Sequence, residues 1–421
     1  MISTCSYKQP ITPTPLLFQM IKESGEIYSK ALQLNQEHKT FKEINEELQK
    51  YCKENVNFLQ SQSAQASYQG FIEALKAYFK ALKAYKKNPK NFSGEPKPPS
   101  KSKFFYKITF KKSAIRFKDG FLLLSVKKPN KPIKIPWSKF LPIPVWAIIS
   151  YDKFEGWNIN FILQKEIQEE KLDKNNVLSI DLGVKRIATT FNSTSREIKT
   201  YSGKEIMSMV RLRNVVDGRI QSKKSYYKNG SRKHKKFQRA KRKIIRRIKN
   251  KQKDILHKYS RMIVNDCVKN KIGRIIIGDN SGTHVDTNMG KAQNQKIQQN
   301  PEQVLAKYIE YKMKSVGGQT DFVPEPYTSR TCPKCNYVKS ESPRGRTYSC
   351  NECGFEYDRD GIGALNIFRK NVSFDYDKWL DVVGKLTFPI GIKYKNIPRL
   401  SPSNRIIDLK ESISQLVPSA L

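Results

Sequence analysis

The sequence predicts a multidomain α+β protein. Its 421 residues are enough for two or three domains, and an apolar content of 38% is enough to form hydrophobic cores. The apolar periodicity changes along the chain, from a helical block to short alternating strands and then to buried strands separated by a long basic segment. Two Cys-x-x-Cys pairs near the end of this pattern predict a small metal-binding module.

The N-terminal part begins with a strand pattern and continues with helices. Phe71, Leu75 and Tyr78 recur at three- and four-residue spacing within a helical stretch. This aromatic stripe has two interpretations, a face packed in a helical core or a platform for stacking nucleobases. We favour the core, because apolar residues at helical spacing usually face a core.

Short alternating runs follow a Pro/Lys-rich linker and predict antiparallel strands. Asp119 and Gly120 separate two of these runs and form a hairpin signal. We predict a β-barrel domain of residues 1–12 and 100–172, into which a helical lobe with its linker, residues 13–99, is inserted.

Three apolar strands of the C-terminal half end at or contain acidic residues. LSIDLG places Asp181 inside a buried strand, where a charge is unfavourable unless it binds metal or is paired. RIIIGDN ends at Gly278 and Asp279, and QTDFVPE ends at Glu325. A long, basic helical insert, residues 205–272, separates the first strand from the second.

The charge of the chain predicts a polyanionic partner. Lys and Arg number 79 against 38 Asp and Glu, a net charge of +41 that destabilises a compact chain by self-repulsion. The basic residues are spread along the chain rather than placed beside an apolar anchor, which favours nucleic acid over a membrane. The densest run predicts these nucleic-acid-binding residues: Lys223, Lys224, Arg232, Lys233, Lys235, Lys236, Arg239, Lys241, Arg242, Lys243, Arg246 and Arg247.

Cysteine usage and the N-terminus predict a cytoplasmic location. Cys5, Cys52 and Cys267 have no partner spacing, which is typical of a reducing compartment. The first residues lack the charged-then-apolar pattern of a signal peptide, and no stretch reaches the roughly 18 apolar residues of a spanning helix. We therefore expect a cytoplasmic protein without a membrane partner.

Four cysteines predict one structural zinc ion. The pairs Cys332/Cys335 and Cys350/Cys353 supply four thiolates at the spacing that suits tetrahedral zinc, and such a site leaves no open coordination position. Asp360 follows shortly afterwards, at the start of a helix rich in small residues. Phosphodiester hydrolysis commonly uses two divalent ions bridged by carboxylates, so Asp181 and Asp360 are candidate metal ligands.

The order of these motifs resembles the transposon-encoded TnpB family, whose relatives include the compact type V CRISPR effectors. LSIDLGVKRIATT, RIIIGDNSG, PEPYTSRTCPKCNY and CNECGFEYDRDGIGALNI carry the resemblance, over roughly residues 175–370. The resemblance implies an RNase H-like (RuvC) α/β nuclease with an inserted zinc ribbon, and a wedge-like N-terminal barrel. It also implies a guide RNA from the transposon end, double-stranded target DNA and two catalytic Mg²⁺.

The resemblance assigns catalytic roles to three carboxylates. Asp181 matches the first and Asp360 the third. Most members place Glu-Asp at the end of the middle strand, where this chain has Gly278-Asp279. A subset carries a relocated glutamate further along, and Glu325 fits that position; Asp279 is the second choice, and Glu310 the third.

The resemblance also divides the C-terminal half. It implies a nuclease domain of residues 173–327 and 357–370, with a zinc ribbon of residues 328–356 between them, and leaves residues 371–421 unassigned. The implied activity is RNA-guided cleavage of matching DNA next to a short flanking motif. The alternatives are an RNA-guided DNA-binding repressor without cleavage and an accessory transposase.

Overall fold

The computed structural model of the chain describes residues 2–37, 40–89, 94–152, 155–166, 170–279, 301–341, 345–373 and 376–394, with residues 92, 299 and 343. These residues form two compact units, one of residues 2–166 and one of residues 170–394. Within these ranges, no helix combines the length and the apolar character needed to cross a membrane.

The N-terminal unit combines three helices with two antiparallel sheets. Its helices are α1 (Pro15–Gln36), α2 (Phe41–Asn55) and α3 (Ser61–Lys87). Its strands are β1 (Ile2–Pro10), β2 (Ile108–Lys111), β3 (Ile115–Lys118), β4 (Phe121–Leu124), β5 (Ile133–Pro136), β6 (Trp146–Asp152) and β7 (Gly156–Glu166). Phe71 and Leu75 are buried in the core of this unit, as their spacing predicts.

The strands pair in the order β1-β7-β6-β2 and β3-β4-β5. β1 therefore joins strands that lie beyond the three helices in sequence, in agreement with a helical insertion. Asp119 and Gly120 have φ values of 51° and 77°, the left-handed conformation that a tight β3–β4 hairpin requires. The described strands form two separate sheets, and a closed barrel stays a prediction.

A buried carboxylate holds the connection between α2 and α3. Glu23 on α1 is 8% exposed and accepts backbone N–H groups of Asn57 at 2.6 Å, Phe58 at 3.0 Å and Leu59 at 2.9 Å. We expect Glu23→Ala to lower the free energy of unfolding by about 3 kcal/mol, because it removes the acceptor of three backbone N–H groups, including that of the buried Leu59. Urea unfolding measures this change.

The matched control is Glu26→Ala on the same helix. The Glu26 side chain is half exposed and pairs with Lys22 at 3.5 Å, so its loss is expected to change stability by less than about 0.5 kcal/mol. Equal effects of the two substitutions would contradict the role of Glu23.

The C-terminal unit contains a six-stranded mixed sheet with helices and a small hairpin. Its strands are β8 (Asp173–Leu182), β9 (Arg186–Asn192), β10 (Ile198–Ser202), β11 (Ile272–Asp279), β12 (Gln319–Pro324), β13 (Thr347–Ser349), β14 (Glu356–Asp358) and β15 (Ile390–Ile392). Its helices are α4 (Lys204–Ser225), α5 (Arg232–Lys269), α6 (Glu302–Lys314), α7 (Arg359–Asn371) and α8 (Tyr376–Gly384).

The large sheet has the order β12-β11-β8-β9-β10-β15. Strands β8, β11 and β12 are parallel to one another, whereas β9 runs antiparallel to β8. The buried strands predicted around Asp181 and Gly278 are present, and so is the short strand predicted around Val323, which forms one edge of the sheet. They are adjacent in the sheet although they are far apart in sequence.

The segment after α7, which the sequence left unassigned, contributes to this unit as far as residue 394. β15 pairs in parallel with β10, with Lys199 opposite Ile390. Trp379 on α8 is 2% exposed and stacks on Phe368 with ring centroids 5.9 Å apart. The rest of the tail lies outside the described residues.

Candidate active site and metal centre

The three parallel strands bring their carboxyl ends to one edge of the sheet. Ile277 on β11 lies opposite Ile180 on β8, so Gly278 neighbours Asp181. Gly278 also lies opposite Val323 on β12, two residues before Glu325. Ligands commonly bind at the carboxyl ends of parallel strands, and this edge is therefore the candidate site.

Helix α7 brings Asp360 to the same edge. Asp358 caps the helix by accepting the backbone N–H groups of Asp360 at 3.1 Å and Gly361 at 3.0 Å. Gly363, one turn later, lies against Asp181, because a Cβ there would be 2.9 Å from Asp181 Cγ. The small residues predicted to allow close packing therefore let α7 lie directly on β8.

The carboxylates of Glu325 and Asp360 act electrostatically on Asp181. The pKa of Asp181 is raised well above its usual value, first by burial of its carboxyl group and then by the negative charges of Glu325 and Asp360. Each of the three residues nevertheless keeps some solvent exposure. A nearby negative charge disfavours ionisation of a carboxyl group, so the effect of Glu325 and Asp360 on Asp181 places the three side chains in one cluster.

Two arginines and a glutamate join the cluster and were not predicted. Arg186 Nη1 pairs with Asp360 Oδ2 at 3.4 Å and Arg359 Nη2 with Asp360 Oδ1 at 3.5 Å. Arg359 lowers the pKa of Asp181, whereas the charge of Glu302, which is 5% exposed, raises it. The place of Arg359 next to Asp360 in sequence could have indicated its role. Nothing in the sequence around Arg186 or Glu302 indicates that they lie near the carboxylates.

The Glu325 carboxylate occupies the space over Gly278. A Cβ built on Gly278 would overlap Glu325 Oε2 and lie 2.9 Å from Glu325 Cδ and 2.8 Å from Ile367 Cδ1. Any side chain at position 278 would therefore displace Glu325. β11 therefore has no side chain at position 278, and the carboxylate of Glu325, which follows β12, occupies that space.

The other two candidates for the second carboxylate have different surroundings. Asp279 Oδ1 accepts a hydrogen bond from Gln303 Nε2 at 3.4 Å. Glu310 is exposed on α6, as expected for a charge on a helix surface. Neither is among the groups that shift the pKa of Asp181, which are Glu325, Asp360, Arg359 and Glu302.

The four predicted cysteines meet in one cluster. The sulfur atoms of Cys332, Cys335, Cys350 and Cys353 lie within 4.8 Å of one another. Sγ–Sγ separations of 3.6 Å for Cys332–Cys353 and 3.5 Å for Cys335–Cys350 exclude disulfides. They are close to the about 3.8 Å expected between thiolates around tetrahedral zinc. These four cysteines form a possible zinc site.

The two knuckles share one backbone conformation. Asn336 and Gly354 each follow the second cysteine of a pair, and their φ values are 69° and 66°. Burial raises the pKa of Cys350, but backbone N–H groups of Cys353 and Glu352 donate to its sulfur and lower the pKa to about 7. The backbone therefore stabilises the thiolate form of Cys350, which is the form that binds metal, whereas burial raises the pKa of Cys332 to about 12.

Helix α7 also holds the base of the cysteine module. The buried Asn366 amide donates to the carbonyl oxygens of Thr328 and Thr331, both at 2.7 Å. Arg369 Nη1 donates to Cys332 O at 3.2 Å. The same helix thus contacts the cysteine module and carries Asp360.

The twelve predicted basic residues lie on the α4–α5 hairpin. Lys223 and Lys224 are in the last turn of α4, and the other ten are in the first half of α5. Nine of the twelve are exposed. Three have partners within the hairpin. Lys241 pairs with Asp217, Lys224 Nζ donates to Gln238 Oε1 at 3.1 Å, and Lys233 Nζ lies 5.4 Å from the centroid of the Tyr227 ring.

Comparisons with known proteins agree with these motifs. Residues 160–283 match the OrfB_IS605 family, described as "Probable transposase", and residues 304–367 match the family described as "Cas12f1-like, TNB domain". A TnpB-like protein of Methanocaldococcus jannaschii is 27% identical over 203 residues, 46% of this chain and 69% of that protein. The CRISPR-associated endodeoxyribonuclease Cas12f1 of Sulfoacidibacillus thermotolerans is 29% identical over 231 residues, 53% of each chain.

A solved structure shares the fold. The chain matches the Cas12f1 chain in a cryo-EM structure of a Cas12f1–sgRNA–target DNA complex with a TM-score of 0.53 and 16% identity, covering 84% of this chain and 82% of that chain. The protein is therefore a multidomain α+β protein of the Cas12f1 fold class. With the two family matches and the TnpB-like relative, the predicted resemblance of the chain to the TnpB family is confirmed.

Proposed function

We propose that the protein is an RNA-guided DNA endonuclease of a mobile element. It binds a transposon-derived guide RNA and hydrolyses matching double-stranded DNA next to a short flanking motif. The observation that carries this proposal is the cluster of Asp181, Glu325 and Asp360 in a chain of net charge +41. The Cas12f1 relative is named an endodeoxyribonuclease, and the solved Cas12f1 complex contains an sgRNA and target DNA.

The donor sets suit two kinds of metal. Asp181, Glu325 and Asp360 offer carboxylate oxygens, which suit Mg²⁺, and the four cysteines offer thiolates, which suit one structural Zn²⁺. The absence of side chains at Gly278 and Gly363 leaves room for the carboxylates. Two Mg²⁺ bound there would supply an activated water and stabilise the leaving oxygen. Arg186 and Arg359 hold the Asp360 carboxylate in place.

The six-stranded sheet supports an RNase H-like (RuvC) nuclease domain. In this proposal the nuclease domain comprises residues 173–327 and 357–370, with β15 added from the tail. The zinc ribbon, residues 328–356, is inserted into it, and a wedge-like barrel with a helical recognition lobe forms residues 1–172. The basic residues of the α4–α5 hairpin bind phosphates of the guide RNA and of its heteroduplex with DNA, by charge rather than by sequence.

Guided cleavage tests the proposed function. The protein is purified with a co-expressed transposon-end RNA and incubated with matched or mismatched DNA and Mg²⁺. Cleavage is expected for matched DNA with the wild type and is expected to be lost in Asp181→Ala. Guided binding without cleavage would identify the repressor instead, and strand transfer without guided cleavage would identify the transposase.

Gly278→Ala is expected to lower the rate of guided cleavage by about tenfold or more. The new Cβ would displace the Glu325 carboxylate, and small displacements of catalytic groups are costly to the rate. Gly218→Ala on α4 is the matched control, because a Cβ there meets no atom within 4 Å. Single-turnover cleavage measures both variants, and equal rates would show that the space over Gly278 is irrelevant.

A further inference from the structure

Five aromatic side chains of the N-terminal unit form a continuous series of ring contacts at its surface. Ring centroids are 4.7 Å apart for Phe104–Phe105, 6.3 Å for Phe105–Phe18, 4.9 Å for Phe18–Trp157 and 5.8 Å for Trp157–Tyr151. Phe104 is 69% exposed, and Phe18, Phe105 and Tyr151 are 39% to 47% exposed. We call these five residues the aromatic row.

The two phenylalanines at one end of the aromatic row are attached to an ordered backbone. The backbone N–H of Lys103 donates to Ser29 Oγ at 2.9 Å, and Ser24 Oγ donates to the carbonyl oxygen of Lys107 at 2.9 Å. The segment lies directly on α1 at Gly25, where a Cβ would be 2.5 Å from the Lys103 carbonyl oxygen. These contacts fix the backbone from which both rings project.

The aromatic row is anchored in the protein at Trp157, which lies between Phe18 and Tyr151 in the series. Trp157 is partly buried and packs against the hydrophobic core of the N-terminal unit. The aromatic row is therefore one continuous set of rings that reaches from the core to the surface, and not a group of isolated exposed residues. Contiguous exposed apolar surface of this kind marks a binding site.

Cations accompany the exposed rings. Lys101, Lys103 and Lys107 flank the phenylalanine pair in sequence, and all three are exposed. Aromatic rings interleaved with basic side chains are typical of surfaces that bind single-stranded nucleic acid, in which the rings stack on bases and the cations contact phosphates. The net charge of +41 agrees with such a partner.

We propose that the aromatic row binds an unpaired segment of RNA, whose bases stack on the exposed rings. Bases of duplex DNA are stacked on each other, whereas RNA is recognised mainly at loops and ends whose bases are free to stack on aromatic side chains. The occupant is thus an unpaired segment of the RNA that the protein carries. The inference rests on the proposed function for this partner, but it does not involve the carboxylate cluster.

Binding of a bare oligonucleotide tests this proposal. The full chain is freed of nucleic acid in high salt and titrated with a fluorescent twelve-nucleotide uridine RNA. The double variant Phe104→Ala/Phe105→Ala is expected to bind about tenfold or more weakly, because each base–ring stack contributes at least about a fivefold factor. The matched control is Phe140→Ala, an equally apolar side chain of the same unit that is 58% exposed and outside the aromatic row.

The salt dependence separates stacking from charge. Stacking releases no counterions, so the phenylalanine variant should keep the wild-type slope of log Kd against log salt concentration. Lys101→Ala/Lys103→Ala should instead flatten this slope. A flattened slope in the phenylalanine variant, or an affinity equal to that of the wild type, would overturn the proposal.

Two further outcomes are decisive. Lost self-association with unchanged RNA affinity would assign the aromatic row to a second copy of the chain, and a loss confined to thymidine DNA would exclude RNA as the occupant. A wild type that binds RNA through the aromatic row but never cleaves guided DNA would refute the proposed function and leave this inference standing. A wild type that cleaves guided DNA, together with a phenylalanine variant whose RNA affinity is unchanged, would refute this inference and leave the proposed function standing.

Discussion

Glu325→Gln is expected to reduce guided DNA cleavage by about 10³-fold while leaving guide RNA binding intact. The substitution keeps the size of the side chain but removes a charge that raises the pKa of Asp181 and that suits a divalent ion. A metal ion stabilises the transition state of phosphodiester hydrolysis by several kcal/mol, and each 1.36 kcal/mol corresponds to about a tenfold change in rate. Single-turnover cleavage at saturating Mg²⁺ measures the loss.

Asp279→Asn is the matched control, because it removes one negative charge from the same sheet edge. It is expected to cleave at nearly the wild-type rate, since Asp279 Oδ1 accepts a hydrogen bond from Gln303 and its charge is not among those that shift the pKa of Asp181. Retained cleavage in Glu325→Gln together with lost cleavage in Asp279→Asn would make Asp279 the second catalytic carboxylate.

A rescue variant separates a catalytic role of Glu325 from a structural one. Gly278→Glu combined with Glu325→Ala returns a carboxylate to the space over position 278 from the middle strand. We expect it to recover a measurable part of the cleavage lost in Glu325→Ala, whereas Gly278→Gln in the same background should recover none.

Loss of zinc is expected to unfold the cysteine module and to abolish cleavage. Structural zinc contributes about 10–16 kcal/mol to the folding of small zinc peptides, and Cys350→Ser removes one of four ligands. Glu325 and Asp360 lie on either side of the module in sequence, so both lose their support. Elemental analysis should find about one zinc per wild-type chain and much less in the variant, with a lower melting temperature.

Cys52→Ser provides the control for this prediction. Cys52 is partly buried in the N-terminal unit and lies outside the four-cysteine cluster, so its substitution should leave both zinc content and cleavage unchanged. A Cys350→Ser variant that keeps a full zinc equivalent would contradict the assignment of the four cysteines.

β8 and β11 could be predicted because each contains a distinct apolar run, and β12 because a short strand pattern follows the Gly317-Gly318 stop of α6. QTDFVP is β12 itself, whereas β8 begins five residues before LSIDLG and β11 two residues before RIIIGD. The cysteine cluster followed from spacing alone. The choice of Glu325 came from the family resemblance, because nothing local distinguishes a strand-end glutamate from a surface charge.

The features that sequence reasoning missed depend on residues that meet only in the folded chain. β15 has three residues and is a strand because β10 offers it a partner edge. Arg186 lies on β9, far from Asp360 in sequence, and its ion pair depends on the packing of α7. The aromatic row combines side chains from α1, β6, β7 and the loop before β2, so no periodicity indicates it.

Three positions of helix α7, spaced three residues apart, make three different contacts. Asp360 joins the carboxylates, Gly363 lies against Asp181, and Asn366 holds Thr328 and Thr331 at the base of the cysteine module. One inserted residue would rotate whatever follows it by about 100° and advance it by about 1.5 Å. An insertion or deletion between Asp358 and Asn366 would therefore break at least one of these three contacts. A change in length between Cys335 and Cys350 would leave the spacing of the three positions unaltered.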